Sequence, residues 1–437
     1  MILEGGLVFT SGGQVRADLG IEGDKIAFIA ESTRGMRGPR LSLDGKLVLP
    51  GVIDSHVHVR EPGQTHKEDF FTASRAAALG GVTCMMCMPN TIPRIDKPKV
   101  FDEVIEAGES KSLIDFCLQA GMSLERLEDI QELGNKGAVS FEIIDEEIPD
   151  TELLTAMKAV AETGVPFGIA ACDAVLLKAL SQESKGSADN CRANDLDRWP
   201  TVIETMGIAR ACVLAMKAGV KLHIRQVSSR EGIRLAGLLK QWCNDLTVEI
   251  GPHHLFLNHA SVRKHGPYGV VLPPLRDSDD QSALWDAVSE SIVDVVASDH
   301  APHTPQEKES GGKDNAKAPP GIAGIEVMLP LMLNAINDGR ISLSAAVALM
   351  SGNPARIFGL YPRKGVIQIG SDADLVVADL DRTWCLEGKT RYSKAGRTPY
   401  TDITGRGLPV ATVSCGRVVM REGKVCNKAG GGRFVSP

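Results

Sequence analysis

A chain of 437 residues with 43% hydrophobic and 24% charged residues is long enough for one large domain and a smaller companion, and its composition is that of a soluble globular protein. A net charge of −7 argues against nucleic acid or an anionic membrane as the main partner, and no run of about 18 apolar residues offers a membrane span. The opening Met1-Ile2-Leu3-Glu4-Gly5-Gly6 lacks the basic-then-apolar layout of a secretory leader, and ten unevenly scattered cysteines read as the buried thiols of a cytoplasmic protein.

In chain order, residues 1–50 are short β-like pieces punctuated by glycine: Gly6–Phe9, Ala17–Ile21 and Lys25–Ala30. From 51 to 362, apolar strand-like runs alternate with helical patterns. The strands expected are Val52-Ile53, Val82–Met86, Ala138–Phe141, Phe167–Ala170, Lys221–Ile224, Thr247–Ile250 and Ile292–Val296. The helices expected include Phe71–Leu79, Thr151–Thr163, Val202–Ala218 and Gln281–Ser289. The polar stretch Gly186–Pro200 reads as a loop into the helix opened by Pro200-Thr201. Residues 363–437 return to β-like pieces: Gly365–Gly370, Ala373–Asp379, Val410–Val413 and Arg417–Val419. Alternation over about 310 residues predicts an α/β fold, most simply a (β/α)8 TIM-like barrel over 51–362. Neither end is long enough to bury a core alone, so 1–50 and 363–437 together predict one small β-sandwich domain.

The chemistry concentrates where strands end. His56 and His58 follow the apolar run Leu47–Ile53, and residues two apart on a strand point the same way. Two imidazoles side by side are a natural start for a divalent metal site, although the pair alone is also compatible with two polar residues at a strand terminus. Met88-Pro89-Asn90-Thr91, His253-His254 and Ser298-Asp299-His300-Ala301-Pro302-His303 fall at the ends of later strands, the face on which barrels of this kind carry their active groups. Asp299 is the candidate metal ligand and general base, taking a proton from a water that the cation has acidified. Its other reading is a turn residue before Pro302. Cys84 and Cys87 lie three apart on one strand and therefore face opposite sides, which argues against a shared metal or redox role.

Asp54-x-His56-x-His58-x-Arg60-Glu61-Pro62-Gly63 resembles the dihydroorotase signature of the amidohydrolase superfamily. Arg60–Phe70, Pro252–Leu257, Pro273-Pro274-Leu275-Arg276, Ser298–His303 and Ala318–Gly324 are similar as well, so the resemblance spans most of the chain. It implies a zinc enzyme that interconverts N-carbamoyl-L-aspartate and dihydroorotate in pyrimidine biosynthesis, with Arg60, Asn90 and His303 holding the substrate carboxylate. Guanidinium, amide and imidazole can all donate to an anionic oxygen. Allantoinases and hydantoinases share the architecture but typically lack an arginine at the position of Arg60.

The pattern breaks at four positions. Where the family bridges two metals with a carboxylated lysine or an aspartate, this chain has Glu142; where it expects histidine ligands, there are Ala170 and Gln226; and a substrate asparagine is replaced by Leu272. The metal set that remains is His56, His58 and Asp299, with Glu142 as a further candidate, and it implies one Zn2+ per chain. His223 lies three residues before Gln226 and by strand alternation faces away from it. Three readings follow. The first is a one-metal, dihydroorotase-like cyclic amidohydrolase acting on a small-molecule substrate, expected to form a homo-oligomer. The second is a non-catalytic homologue that scaffolds an aspartate transcarbamoylase. The third is an allantoinase- or hydantoinase-type enzyme on another cyclic amide.

Overall fold

The computed structural model describes residues 1–43, 45–143, 147–183, 199–312 and 317–437. The chain opens with β1 (Ile2–Thr10), β2 (Gly13–Glu22), β3 (Lys25–Ala30), β4 (Arg40–Ser42) and β5 (Leu47–Pro50). The barrel strands follow as β6 (Val52–Val57), β7 (Val82–Cys87), β8 (Asp115–Leu118) with its continuation β9 (Ala120–Gly121), β10 (Phe141–Ile143), β11 (Phe167–Ala170), β12 (Leu222–Arg225), β13 (Leu246–Ile250) and β14 (Val295–Val296). The chain closes with β15 (Leu375–Lys389), β16 (Arg397–Ser414), β17 (Arg417–Arg421) and β18 (Lys424–Val425).

Strands β6 to β14 pair in parallel with their neighbours, and helices return the chain between them, the architecture of an α/β barrel. Backbone bonds Val139 N to Leu118 O and Ala120 N to Ser140 O join the β6–β8 sheet to the rest. The ring closes between β14's extension and β6, where His58 N donates to His300 O at 2.9 Å and His300 N to His56 O at 3.3 Å. Closure therefore happens at the two histidines the sequence singles out.

Local chemistry explains the helices. Phe70–Leu79 starts on a reciprocal cap between Asp69 and Thr72 and buries Ala76, Ala77 and Ala78. Thr201–Ala218 follows Pro200 and stops at Gly219, whose φ of 71° is the left-handed end that glycine adopts without strain. Among the described residues, no helix is long and apolar enough to cross a membrane.

The two ends of the chain meet in one nine-stranded sheet, in which β5 runs antiparallel to β15 with Val48 opposite Val377. Alternation across β5 and β15 divides their side chains between two cores: Leu47, Leu49, Val376 and Ala378 pack into the barrel's cluster, and Val48, Leu375 and Val377 into the β domain's own. That double burial is why Leu47–Pro50 reads as an unbroken apolar run.

Three strand expectations change. Gly365–Gly370 is turns rather than strand, with Ile367 buried as a plug in the β-domain core. Strand β10 begins at Phe141, later than the apolar pattern suggests, and β14 is confined to Val295-Val296. Strand β8 is an addition to the strands expected: its apolar run Leu113-Ile114-x-Phe116-Cys117-Leu118 is interrupted by Asp115, which is buried and paired with Lys364 at 2.7 Å and Arg433 at 3.2 Å, partners that lie far along the chain. Most of the segment Gly186–Pro200 lies outside the described residues.

Candidate active site

His56 sits near the end of β6 and His58 just beyond it, with ring centroids 5.2 Å apart. Each ring is held by its Nδ1. His56 Nδ1 lies 2.7 Å from Glu249 Oε1 on β13, and His58 Nδ1 lies 2.7 Å from Asn90 Oδ1 in the loop after β7. With a carboxylate and an amide oxygen as acceptors, both rings carry the proton on Nδ1 and keep Nε2 available as a ligand. Both Nε2 atoms face Asp299 Oδ1, at 3.4 Å from His56 and 3.1 Å from His58. Two ligands on a tetrahedral ion at the usual bond length lie about 3.4 Å apart, so this spacing fits a divalent cation. The three donor atoms lie within 4.8 Å of one another, and all three residues are buried.

The electrostatics agree with the geometry. Burial works against the Asp299 carboxylate, but the two imidazoles that face it outweigh burial and hold the group at about 2, so it is ionised and available as a ligand. Burial lowers His58 to about 4 against the pull of Asp299, so that ring is neutral at physiological pH and ready to ligate. Asp54, two residues before His56, accepts from Ser298 N at 3.0 Å and ties β6 to the segment that presents Asp299. Arg60, Gln226 and Asp299 are three of the seven non-glycine residues with left-handed φ among the described residues, a concentration of backbone strain typical of a working site.

A cavity of about 260 Å³ joins these ligands to a second group formed by Arg60 and His303. Arg60 is 8% exposed, and its Nε donates to Pro302 O at 3.4 Å while Nη2 lies 3.4 Å from His303 Nε2. Burial lowers Arg60 only to about 10, with the more distant carboxylates of Asp299, Glu307 and Glu68 pulling the other way, so it stays charged; among the described residues no carboxylate lies within ion-pair distance of it. Burial, helped by the charges of Arg60 and Lys67, drives His303 to about 3 and keeps it neutral. Asn90 spends its carbonyl on His58, which leaves its amide N–H groups at the cavity wall. The structure therefore brings His56, His58, Asp299, Arg60, Asn90 and His303 around one space.

Glu142 also reaches that space, but its carboxylate is committed elsewhere. Arg225 Nε donates to Oε2 at 2.9 Å and Arg225 Nη2 to Oε1 at 2.6 Å, and Ser140 Oγ adds a bond of 2.6 Å to Oε1. The expected metal ligation by Glu142 gives way to a buried ion pair, because a guanidinium fork matches a carboxylate that water cannot reach. Glu142→Ala is therefore expected to lower stability by less than the ~3–5 kcal/mol of a fully orphaned buried charge, because Arg225 keeps Glu249 at 2.8 Å, with little change in affinity for an ion on His56, His58 and Asp299. Denaturant unfolding beside a metal titration checks this.

Ala170 lines the cavity and offers no donor. Gln226 and His223 do not face opposite ways as alternation predicts. The strand ends at Arg225, Gln226 takes a φ of 55°, and its Nε2 donates to Glu249 Oε1 at 3.0 Å, while His223 Nε2 lies 3.4 Å from Glu249 Oε2. Glu249, Arg225 and Gln119 escape the sequence reading, although a charged residue inside an apolar barrel strand (Thr247-Val248-Glu249-Ile250) is the signal that marks such a group. His254 Nε2 donates to Pro273 O at 3.1 Å and fixes the Leu272-Pro273 wall; His253 is buried beside it, with ring centroids 4.2 Å apart.

Lys308 braces the wall by donating to Val270 O at 3.1 Å and Pro319 O at 2.8 Å. Burial, with the Arg60 charge adding to it, lowers the amine from its ordinary 10.5 to about 7. Between those values the unfolded chain binds the extra proton, so this group makes stability rise with pH across that window and contributes a constant cost below it. Melting temperatures of wild type and Lys308→Met, compared from pH 7 to 10, are expected to move in favour of wild type as pH rises.

The sequence profile of the Amidohydrolase family matches residues 47–419. Similar curated proteins include an L-hydantoinase of Paenarthrobacter aurescens, 32% identical over 98% of this chain and 96% of that protein. A dihydroorotase of Methanothermobacter thermautotrophicus is 34% identical over 96% and 94%, and an allantoinase of Solibacter usitatus 33% identical over 98% and 95%. Among solved structures, the L-hydantoinase (dihydropyrimidinase) from Arthrobacter aurescens superimposes with a TM-score of 0.96 at 31% identity, covering 100% of this chain and 99% of that one.

Proposed function

The chain belongs to the amidohydrolase family, and from that premise we propose that it is a one-metal cyclic amidohydrolase of dihydroorotase type, opening dihydroorotate to N-carbamoyl-L-aspartate and closing it again within pyrimidine synthesis. The observation that carries the substrate choice is Arg60, a buried and charged guanidinium facing the cavity with no carboxylate partner among the described residues. A buried cation without an anion is costly unless something supplies one, and a ring bearing a carboxylate supplies it.

His56, His58 and Asp299 would hold the metal ion, Zn2+ by the nitrogen and oxygen character of the donors. When bound, the ion supplies Lewis-acid polarisation of the scissile carbonyl and a water of lowered pKa. Arg60, the Asn90 amide and His303 orient the substrate carboxylate, which fixes the ring with its amide toward Asp299. Asp299 takes the proton from the attacking water and delivers it to the ring nitrogen as the C–N bond breaks; in the closing direction it takes the proton from the carbamoyl nitrogen. Glu249 and Asn90 hold the two imidazoles so that neither Nε2 must reorganise during the reaction.

The assembled ligand cluster favours this reading over a scaffold, because a scaffold has no physical use for three metal donors and an unpaired arginine in one cavity. A hydantoin or allantoin ring leaves Arg60 without an anion, which is the argument against the third reading. Elemental analysis of washed protein is expected to find at most one divalent ion per chain. Two tightly held ions would contradict the one-metal site.

A further inference from the structure

The reaction described above makes no use of Arg225, yet this residue is built into the floor of the same cavity. Its guanidinium spans two strands' worth of charge. One edge grips Glu142 on β10 through Nε and Nη2; Nη1 donates to Glu249 Oε2 on β13 at 2.8 Å and to Ser55 O at 3.2 Å, and Nη2 also reaches Gln119 Oε1. Arg225, Glu142, Glu249 and Gln119 are each at most 2% exposed. Glu249 is shared: its second oxygen holds His56 Nδ1. Arg225 therefore stands one carboxylate away from a metal-ligating imidazole.

Two buried carboxylates gripped by one guanidinium beside the candidate metal site form the hard, anionic donor set that a second divalent ion would take. With Arg225 in place, both carboxylates are already neutralised and held. Ala170 lies opposite Arg225 in the β11–β12 register and has no ligand atom, and the Gln226 amide donates to Glu249. Gly168, two residues before Ala170, leaves room for the Glu142 carboxylate, which any Cβ there would strike. The absent donors and the added cation are thus parts of one arrangement.

We propose that Arg225 is a resident cation standing in the place of a second metal ion: it neutralises Glu142 and Glu249, limits the site to one ion, and positions His56 through Glu249. This rests on the one-metal reading above and adds the reason that the count is one.

The test is metal stoichiometry after Mn2+ loading and desalting, read by elemental analysis and by electron paramagnetic resonance for a spin-coupled pair. Wild type and Arg225→Lys, which keeps the charge, are expected to hold one ion. Arg225→Gln is expected to hold two, with the coupled-pair signal, because Glu142 and Glu249 are then left to a new cation. A folded Arg225→Gln protein that still holds one ion overturns the inference while leaving the one-metal enzyme intact. Wild type with two ions overturns it outright, and wild type with none removes the metal reading together with it. Should Arg225→Gln fold poorly, Mn2+ is expected to raise its melting temperature more than that of wild type; an equal or smaller rise counts against the inference.

Discussion

Asp299→Asn is expected to lower kcat at saturating metal by about 10²- to 10⁴-fold while leaving the fold intact, the range expected for removing a positioned proton acceptor. An amide cannot accept the water proton, yet it has the size and shape of the carboxylate it replaces. The backbone tolerates the change as well, since Asp299 has a φ of 43° and asparagine is among the residues that adopt the left-handed region most readily. Asp299 also faces both histidine Nε2 atoms, so metal content must be measured beside the rate. A fully loaded Asn variant with near wild-type turnover would remove Asp299 from the chemistry.

Arg60→Gln is the second large effect, and it discriminates between substrates. A hydrogen bond to a charged group contributes about 1.5–3 kcal/mol, so kcat/KM for a ring carrying a carboxylate should fall by about 10- to 150-fold. The same variant should change kcat/KM by less than about threefold for a hydantoin without a carboxylate, because such a ring leaves the guanidinium unused. Equal losses on both rings would show that Arg60 supports the loop through Pro302 O rather than the substrate.

The sequence carried the cluster of His56, His58 and Asp299 and the barrel around it because both depend on short-range spacing. His56 and His58 share a face by strand period, and Asp299 is found at the end of another apolar run. What could not be read is pairing across the barrel. Arg225 meets Glu142 from 83 residues away and Glu249 from 24, and nothing local in Phe141-Glu142-Ile143 distinguishes a metal ligand from half of an ion pair. The same holds for Asp115 at the start of β8, a buried carboxylate whose partners, Lys364 and Arg433, lie at the far end of the chain. The middle of the β15–β16 hairpin was equally hard to read, since its inward side chains, Trp384, Leu386 and Ile403 among them, are only partly buried between exposed polar neighbours; the unbroken apolar runs lie at the inner ends, around Val377 and Val413. Strand alternation itself failed at Gln226, where a left-handed residue at the strand end turns the side chain back toward Glu249.

On the proposed reading, this chain opens dihydroorotate with a single divalent ion on His56, His58 and Asp299. The most direct measurement is ring opening of dihydroorotate by purified protein, before and after stripping with a chelator and during stepwise return of Zn2+. Turnover is expected to disappear on stripping and to return in full with about one equivalent of Zn2+ per chain. Turnover indifferent to the chelator, or no ring opening of dihydroorotate by fully loaded protein, would contradict it.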